Sequence, residues 1–155
     1  MGSPSKDMVE VEGTLRTIIE SLVDGQEGFQ KIGEELKDET LKRYFLAESL
    51  KRAAFRGELE EILHQEGVKD VKETGSAASA FVRMWTGLKT ALGAGDASLL
   101  EAADEAEEAT VQAYADALNK YLPEPIREVL GAQAVQVEAS HEYVKAARAG
   151  NKSAS

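Results

Sequence analysis

Apolar residues recur every three or four positions along four long segments of this chain, and this spacing constrains the fold more than any other feature. Because an α-helix turns once in about 3.6 residues, residues at that spacing line one side of a helix. The first segment covers about 12–37 and the second about 38–65. The third starts with Asp96 as a predicted N-cap and stops before Pro123, and a fourth follows. The pattern predicts an all-α protein with four main helices.

The connections between the segments predict how the helices are arranged. Short turns near 37–39 and at Pro123 and Pro125 make each consecutive pair an antiparallel hairpin. The two hairpins are joined by a long connection, 67–95, in which helical spacing continues over 80–92, at Phe81, Met84, Trp85, Leu88 and Leu92. Such a connection can run the length of a bundle and make the second and third helices parallel. We therefore predict a four-helix bundle of ferritin-like topology with a short extra helix in its long crossover. A plain up-and-down bundle is the alternative.

Composition bounds the domain count and the classes of partner. A chain of 155 residues fits one domain, predicted over 8–149, and the small polar residues at 1–7 and 150–155 predict flexible termini. The chain has no cysteine, no apolar signal segment and no membrane span, so we expect a cytoplasmic protein. The formal net charge of −10 disfavours binding to nucleic acid and to anionic membranes.

Polar side chains interrupt the four apolar stripes at similar heights. Glu48 and Arg52 lie four residues apart on the core side of the second helix. Since a buried charge is strongly unfavourable without a partner, we expect these two to pair with each other or with the rest of a polar layer. The layer predicted at the bundle centre consists of Gln26, Glu48, Arg52, Thr110, Gln133 and Ser140. It is either a hydrogen-bonded layer that fixes helix register or a small ligand site.

A metal site is the more specific alternative for this polar centre. Di-iron bundles take one Glu from each of two helices and a Glu-x-x-His pair from each of the other two. Glu138 and His141 have that spacing in the fourth helix, whereas the second helix reads Glu48-Ser-Leu-Lys51. Arg52 also opposes a nearby metal cation, because its guanidinium stays charged. The candidate ligands for iron or manganese are Glu27, Glu58, Glu107, Glu138 and His141. Apart from this alternative we expect no cofactor. A third interpretation is a haem bound through Met84. Packing of Met84 in the core explains this residue better.

Ordered motifs at matching separations give a resemblance to a known family. They are 24–29 (DGQEGF), 52–59 (RAAFRGEL), the crossover from Gly75 to Leu92 with Trp85, and Glu107, Ala113, Tyr114 and His141. Over Leu15 to Ala149 the chain resembles a bacterial family of small ferritin-like four-helix-bundle proteins, catalogued as a domain of unknown function and found in stress-associated settings. The resemblance implies a ferritin-like fold that lacks the duplicated Glu-x-x-His pattern.

Two functions from different classes remain open at this point. The first is a non-catalytic, stress-associated bundle that acts by self-association, for instance as a homodimer, or through protein partners. The alternative is a metal-binding bundle with oxidase or storage activity. The position of Arg52 relative to Glu107, Glu138 and His141 discriminates between them, because a guanidinium and a metal cation would occupy the same space.

Overall fold

Four α-helices make up the described part of the chain. The computed structural model describes residues 6–66 and 95–154. Its helices are α1 (Lys6–Glu35), α2 (Glu39–Gln65), α3 (Asp96–Leu118) and α4 (Glu124–Ala154), and these two ranges contain no strand. The prediction of an all-α fold with four main helices is confirmed. The predicted crossover helix at 80–92, with Trp85 and Met84, lies outside the described residues.

Capping interactions at the start of α2 and α3 join the two hairpins. The Asp38 side chain accepts a hydrogen bond from the Leu41 amide at 2.9 Å and caps α2. The prediction that Asp96 is the N-cap of α3 is wrong, because Asp96 is the first residue of the helix. Gly95 takes the cap position with a φ of 105°, which glycine adopts without steric strain. The Asp96 carboxylate accepts instead from the amides of Lys37 and Asp38, at 2.9 and 3.1 Å. It therefore fixes the α1–α2 turn beside the start of α3.

Two apolar clusters at opposite ends of the bundle show the directions of the helices. One cluster joins the first halves of α1 and α4 to the second halves of α2 and α3, and its members include Leu15, Leu59, Tyr114 and Leu130. The other cluster joins the second halves of α1 and α4 to the first halves of α2 and α3, and its members include Phe29, Phe45, Leu99 and Val144. Each hairpin is therefore antiparallel, and α2 and α3 point in the same direction.

The helix ends differ from the predicted ones in two respects. The third helix, predicted to stop before Pro123, ends at Leu118, so Tyr121 falls in the turn that follows and is 57% exposed although it continues the apolar spacing. The first helix also begins at Lys6 and ends at Glu35, whereas its predicted range is about 12–37.

Close packing of α1 against α2 depends on Gly33, whereas Gly25 makes a looser contact. A Cβ atom at Gly33 would lie 2.8 Å from Leu46 Cδ2 and 3.3 Å from the Leu46 backbone nitrogen, distances that a real side chain does not tolerate without movement. At Gly25 the nearest atom is Arg52 Nη1, at 3.5 Å, an ordinary contact. Gly33 therefore allows the backbone of α2 to approach α1 closely.

Candidate functional site

The bundle centre holds a fully buried guanidinium between two buried carboxylates. Arg52 is 0% exposed, Glu48 is 2% exposed and Glu107 is 1% exposed. Arg52 Nη2 donates to Glu107 Oε2 at 2.8 Å, and Arg52 Nε donates to Glu48 Oε2 at 3.3 Å. These three residues, here called the Arg52 cluster, connect α2 to α3 through hydrogen bonds that are strengthened by charge.

The carboxylates of this cluster keep Arg52 positively charged. Burial by itself disfavours the charge, but the negative charge and hydrogen bond of Glu107, and then the charge of Glu48, outweigh burial and raise the pKa of Arg52. From the solvent side, Lys51 Nζ lies 3.7 Å from Glu48 Oε1. Two carboxylates therefore meet two cations, and the buried cluster carries no uncompensated charge.

Aromatic packing holds the guanidinium in position. Arg52 Cζ lies 4.7 Å from the centroid of the Phe29 ring, within the range of a cation–π interaction. Phe29 in turn packs on Phe45, with ring centroids 5.1 Å apart. Arg52 Nη1 has no hydrogen-bond partner among the described residues and lies next to Gly25, where α1 has no side chain. A Cβ atom at position 25 would make an ordinary contact with this nitrogen, so the guanidinium packs directly beside α1.

A second buried polar group links three helices through Gln133. The Tyr114 hydroxyl donates to Gln133 Oε1 at 2.8 Å. Gln133 Nε2 donates to Glu58 Oε1 at 3.0 Å and to the Phe55 carbonyl at 3.3 Å. Burial raises the pKa of Tyr114, with smaller contributions from nearby charges. The hydroxyl stays protonated at neutral pH and acts as a fixed donor between α3 and α4.

The six side chains predicted at the bundle centre are not all joined in one network. Five of them are buried, and Gln26 is only partly buried. The Gln26 carbonyl, not its side chain, accepts a hydrogen bond from Ser49, and Thr110 donates to the Ala106 carbonyl of its own helix. Ser140 is buried on α4. The layer thus divides into the Arg52 cluster, the Gln133 group and single side chains.

Glu107 lies deeper than the sequence suggests. Its helical spacing places it at the edge of the α3 stripe, yet the structure buries it fully against Arg52. The signal for this burial is local: Glu107 follows Ala103 by four residues and precedes Thr110 by three, and both are buried. A carboxylate between two inward positions, opposite an inward arginine, indicates an ion pair.

The five candidate metal ligands do not converge. Glu27, Glu58 and Glu138 are exposed, and Glu107 is bound to Arg52. His141 Nε2 lies 2.8 Å from Asp104 Oδ1. In the described ranges, 6–66 and 95–154, no three His, Asp or Glu side chains are grouped as metal ligands. Glu58, Glu107 and His141 therefore each contact a different residue, Gln133, Arg52 and Asp104 respectively.

Asp104 organises a second charged group, on the α3–α4 side of the bundle. Besides His141, its carboxylate accepts from Arg148 Nη1 at 2.9 Å through Oδ2. Burial tends to raise the pKa of Asp104, but the hydrogen bonds from Arg148 and His141 outweigh it and hold that pKa below its usual value. Asp104 lies in the acidic run 101–108, so the sequence alone does not distinguish it from its solvated neighbours.

The contribution of Asp104 to stability should disappear in acid. Because its pKa is lower in the folded than in the unfolded state, this contribution is present above the unfolded value near 3.8 and is lost as pH falls through the folded value. Asp104→Asn should reduce the free energy of unfolding at pH 7 by about 1–2 kcal/mol and by less at pH 3. Urea unfolding at both pH values measures this, with exposed Asp116→Asn as the control. An equal loss at both pH values would contradict the assignment.

The part of the sequence that matches a known family includes all three residues of the Arg52 cluster. Residues 10–120 match the family described as "Domain of unknown function (DUF2383)". This chain belongs to that family. The DUF2383 match contains Glu48, Arg52 and Glu107, whereas Glu138 and His141 lie outside it. No curated protein matches the chain in sequence. The DUF2383 region therefore carries the buried ion pairs but not the Glu-x-x-His spacing.

The helices of this DUF2383 chain were compared with the length and hydropathy of a membrane-spanning helix. Within 6–66 and 95–154, no helix combines the length and the apolar character that crossing a membrane requires. The helices bury their apolar sides against one another instead.

Proposed function

We propose that this protein is a non-catalytic helical bundle that acts through surface contacts, either with a second copy of itself or with another protein. The observation that carries the proposal is the position of Arg52. Bundles build their metal and ligand sites at the centre, from side chains of facing helices. Here a guanidinium takes that central position between Glu48 and Glu107. Arginine cannot be deprotonated in proteins, so it supplies no group for acid–base chemistry at physiological pH.

In this proposal the polar centre has a structural role. The Arg52–Glu107 pair joins α2 to α3, and Gln133 joins α4 to both. A helix shifted by one turn would leave these buried groups without partners, which is strongly unfavourable. The polar groups therefore select one register of the four helices and leave the outer surface for binding.

The proposal includes a ferritin-like topology. It is supported by the parallel directions of α2 and α3, since a chain that leaves α2 must return along the whole bundle before it enters α3. The 23 residues of α3 extend about 35 Å, and the connection at 67–94 is long enough to cover that distance. A bacterial, cytoplasmic and stress-associated setting is the part of the proposal that rests on the family resemblance alone.

Metal loading tests the proposal against the metal-binding alternative. The protein is titrated with Fe(II) under anaerobic conditions and with Mn(II), and its metal content and melting temperature are measured. We expect no shift of the melting temperature and far less than one metal per chain after desalting. Near-stoichiometric iron or manganese that is lost in Glu107→Gln, or in Glu138→Ala with His141→Ala, would overturn the proposal. Exposed Glu105→Gln is the matched control for weak binding to the acidic surface.

A further inference from the structure

The outward side of α2 carries apolar and small residues where a solvent-facing helix usually carries charges. Leu50 is 72% exposed, and Leu46, which also packs against Gly33 of α1, is 36% exposed at the border of this side. Ala47, Ala54 and Gly57 are exposed on the same side of the helix. These five residues form the α2 stripe. Positions 47, 50, 54 and 57 follow the alternating spacing of three and four with which helices pair along a seam.

Opposite charges stand at the two ends of the α2 stripe. Arg43 lies four residues before Ala47, and Glu61 lies four residues after Gly57, and both are exposed. Neither takes part in an ion pair with another residue of the described chain. They cannot pair with each other, because 18 residues of helix separate them by about 27 Å. The stripe thus presents an apolar centre with one positive and one negative end.

We propose that a second copy of this chain packs on the α2 stripe, with the two α2 helices antiparallel about a two-fold axis. In such an interface the same patch serves both copies, so each contact occurs twice. The two-fold axis then places Arg43 opposite the partner's Glu61 and Ala47 opposite the partner's Gly57. It also places Leu50 opposite the partner's Ala54. The stripe is therefore complementary to itself in both charge and size.

The charges favour this orientation over a parallel one. A parallel pair would bring Arg43 against the partner's Arg43 and Glu61 against the partner's Glu61, and like charges at an interface are repulsive. The small residues Ala47, Ala54 and Gly57 allow the helices to approach closely enough for Leu50 to be buried. One helix pair buries less than a standard interface of about 1,600 Å², so we expect a dimer of about micromolar affinity.

This inference rests on the proposed function, in which self-association is one of two modes of action, and it names the partner and the surface. Charge reversal tests it. Arg43→Glu alone and Glu61→Arg alone should each raise the dimer dissociation constant at least tenfold, because each creates two like-charge contacts. The double variant should restore the wild-type value to within about threefold. Sedimentation equilibrium measures all three, with exposed Glu138→Arg on α4 as the control.

Restoration in the double variant has one physical explanation. The two substituted positions are about 27 Å apart within a chain, so their charges can compensate each other only between copies. Retained helical content, measured by circular dichroism, shows that each variant is folded. If the wild-type protein is a monomer at all concentrations, or if the double variant stays as weak as the singles, the inference is wrong.

Cross-linking gives the orientation independently. The native chain has no cysteine, so Arg43→Cys and Glu61→Cys each introduce a single thiol. A short bismaleimide should link a mixture of the two variants, because the mixed dimer keeps one Arg43–Glu61 contact and brings the two thiols together. It should not link either variant to itself. Self-linking of Arg43→Cys would show parallel packing and overturn the inference.

Failure of the inference and failure of the proposed function give different results. A dimer that none of the charge variants weakens would refute the α2 stripe as its interface but leave a self-associating bundle in place. Stoichiometric metal held by Glu107 would refute the proposed function, whatever the oligomeric state. The two experiments thus measure separate properties of the protein.

Discussion

Replacing Arg52 with methionine should lower the free energy of unfolding by about 3–5 kcal/mol, the loss expected when one partner of a buried ion pair is removed. The substitution leaves Glu48 and Glu107 buried at the bundle centre without the cation that both contact. Methionine fills much of the same space, so the loss reflects the missing charge more than a cavity. Urea unfolding at pH 7, followed by circular dichroism, measures the effect.

Neutralising the two carboxylates should reverse most of that loss. In the triple variant Arg52→Met, Glu48→Gln and Glu107→Gln, no charge of the cluster stays buried, and similar replacements of ion pairs are often neutral or stabilising. Lys31→Met removes an exposed positive charge from α1 and should change stability by less than about 0.5 kcal/mol. A triple variant no more stable than Arg52→Met would show that the carboxylates are not the cause.

The fold could be predicted because its signals are local. The helical spacing of apolar residues requires only neighbouring positions on one helix, and the prolines at 123 and 125 mark the turn between α3 and α4. The end of α3 was less predictable, because Tyr121 continues the apolar spacing although the helix has already stopped at Leu118. Helix ends depend on backbone hydrogen bonds that spacing does not show.

The candidate site was predictable only in part, because half of it depends on how helices rotate against each other. Glu48 and Arg52 lie one turn apart on α2, so their pairing follows from sequence distance. The pairing of Arg52 with Glu107 joins residues 55 positions apart. The contact between Asp104 and His141 likewise joins two different helices, at a separation of 37 positions. No spacing rule within one helix gives either contact.

These long-range contacts also bear on the two hypotheses for the bundle centre. Glu107 and His141 are candidate ligands by residue type, but each is engaged by a different residue in the structure. The deciding residue is Arg52, which the sequence places on the core side of α2 without showing its partners. With Lys51 as a second cation beside Glu48, the buried guanidinium and its two carboxylates leave no charge uncompensated. These contacts support the proposed non-catalytic bundle over the metal-binding alternative.

Replacing Phe29 with alanine should lower the free energy of unfolding by about 3–5 kcal/mol. Phe29 is fully buried, packs on Phe45 and covers the guanidinium of Arg52. The substitution leaves a cavity and also removes the aromatic surface that faces the cation. Phe29→Leu keeps most of the apolar volume and should lose less, about 1–2 kcal/mol. Urea unfolding of both variants measures the difference.

A double-mutant cycle isolates the contact between Phe29 and Arg52. If the ring stabilises the guanidinium, Phe29→Leu should be less destabilising in the Arg52→Met background than in the wild type, by about 0.5–2 kcal/mol. The control pairs Arg52→Met with Leu15→Ala, a residue of the other apolar cluster, whose effect should be additive within about 0.5 kcal/mol. Additivity for Phe29 as well would mean that the ring only fills space. Coupling at Phe29 alone would show that the aromatic core itself helps to keep a charged arginine at the centre of the bundle.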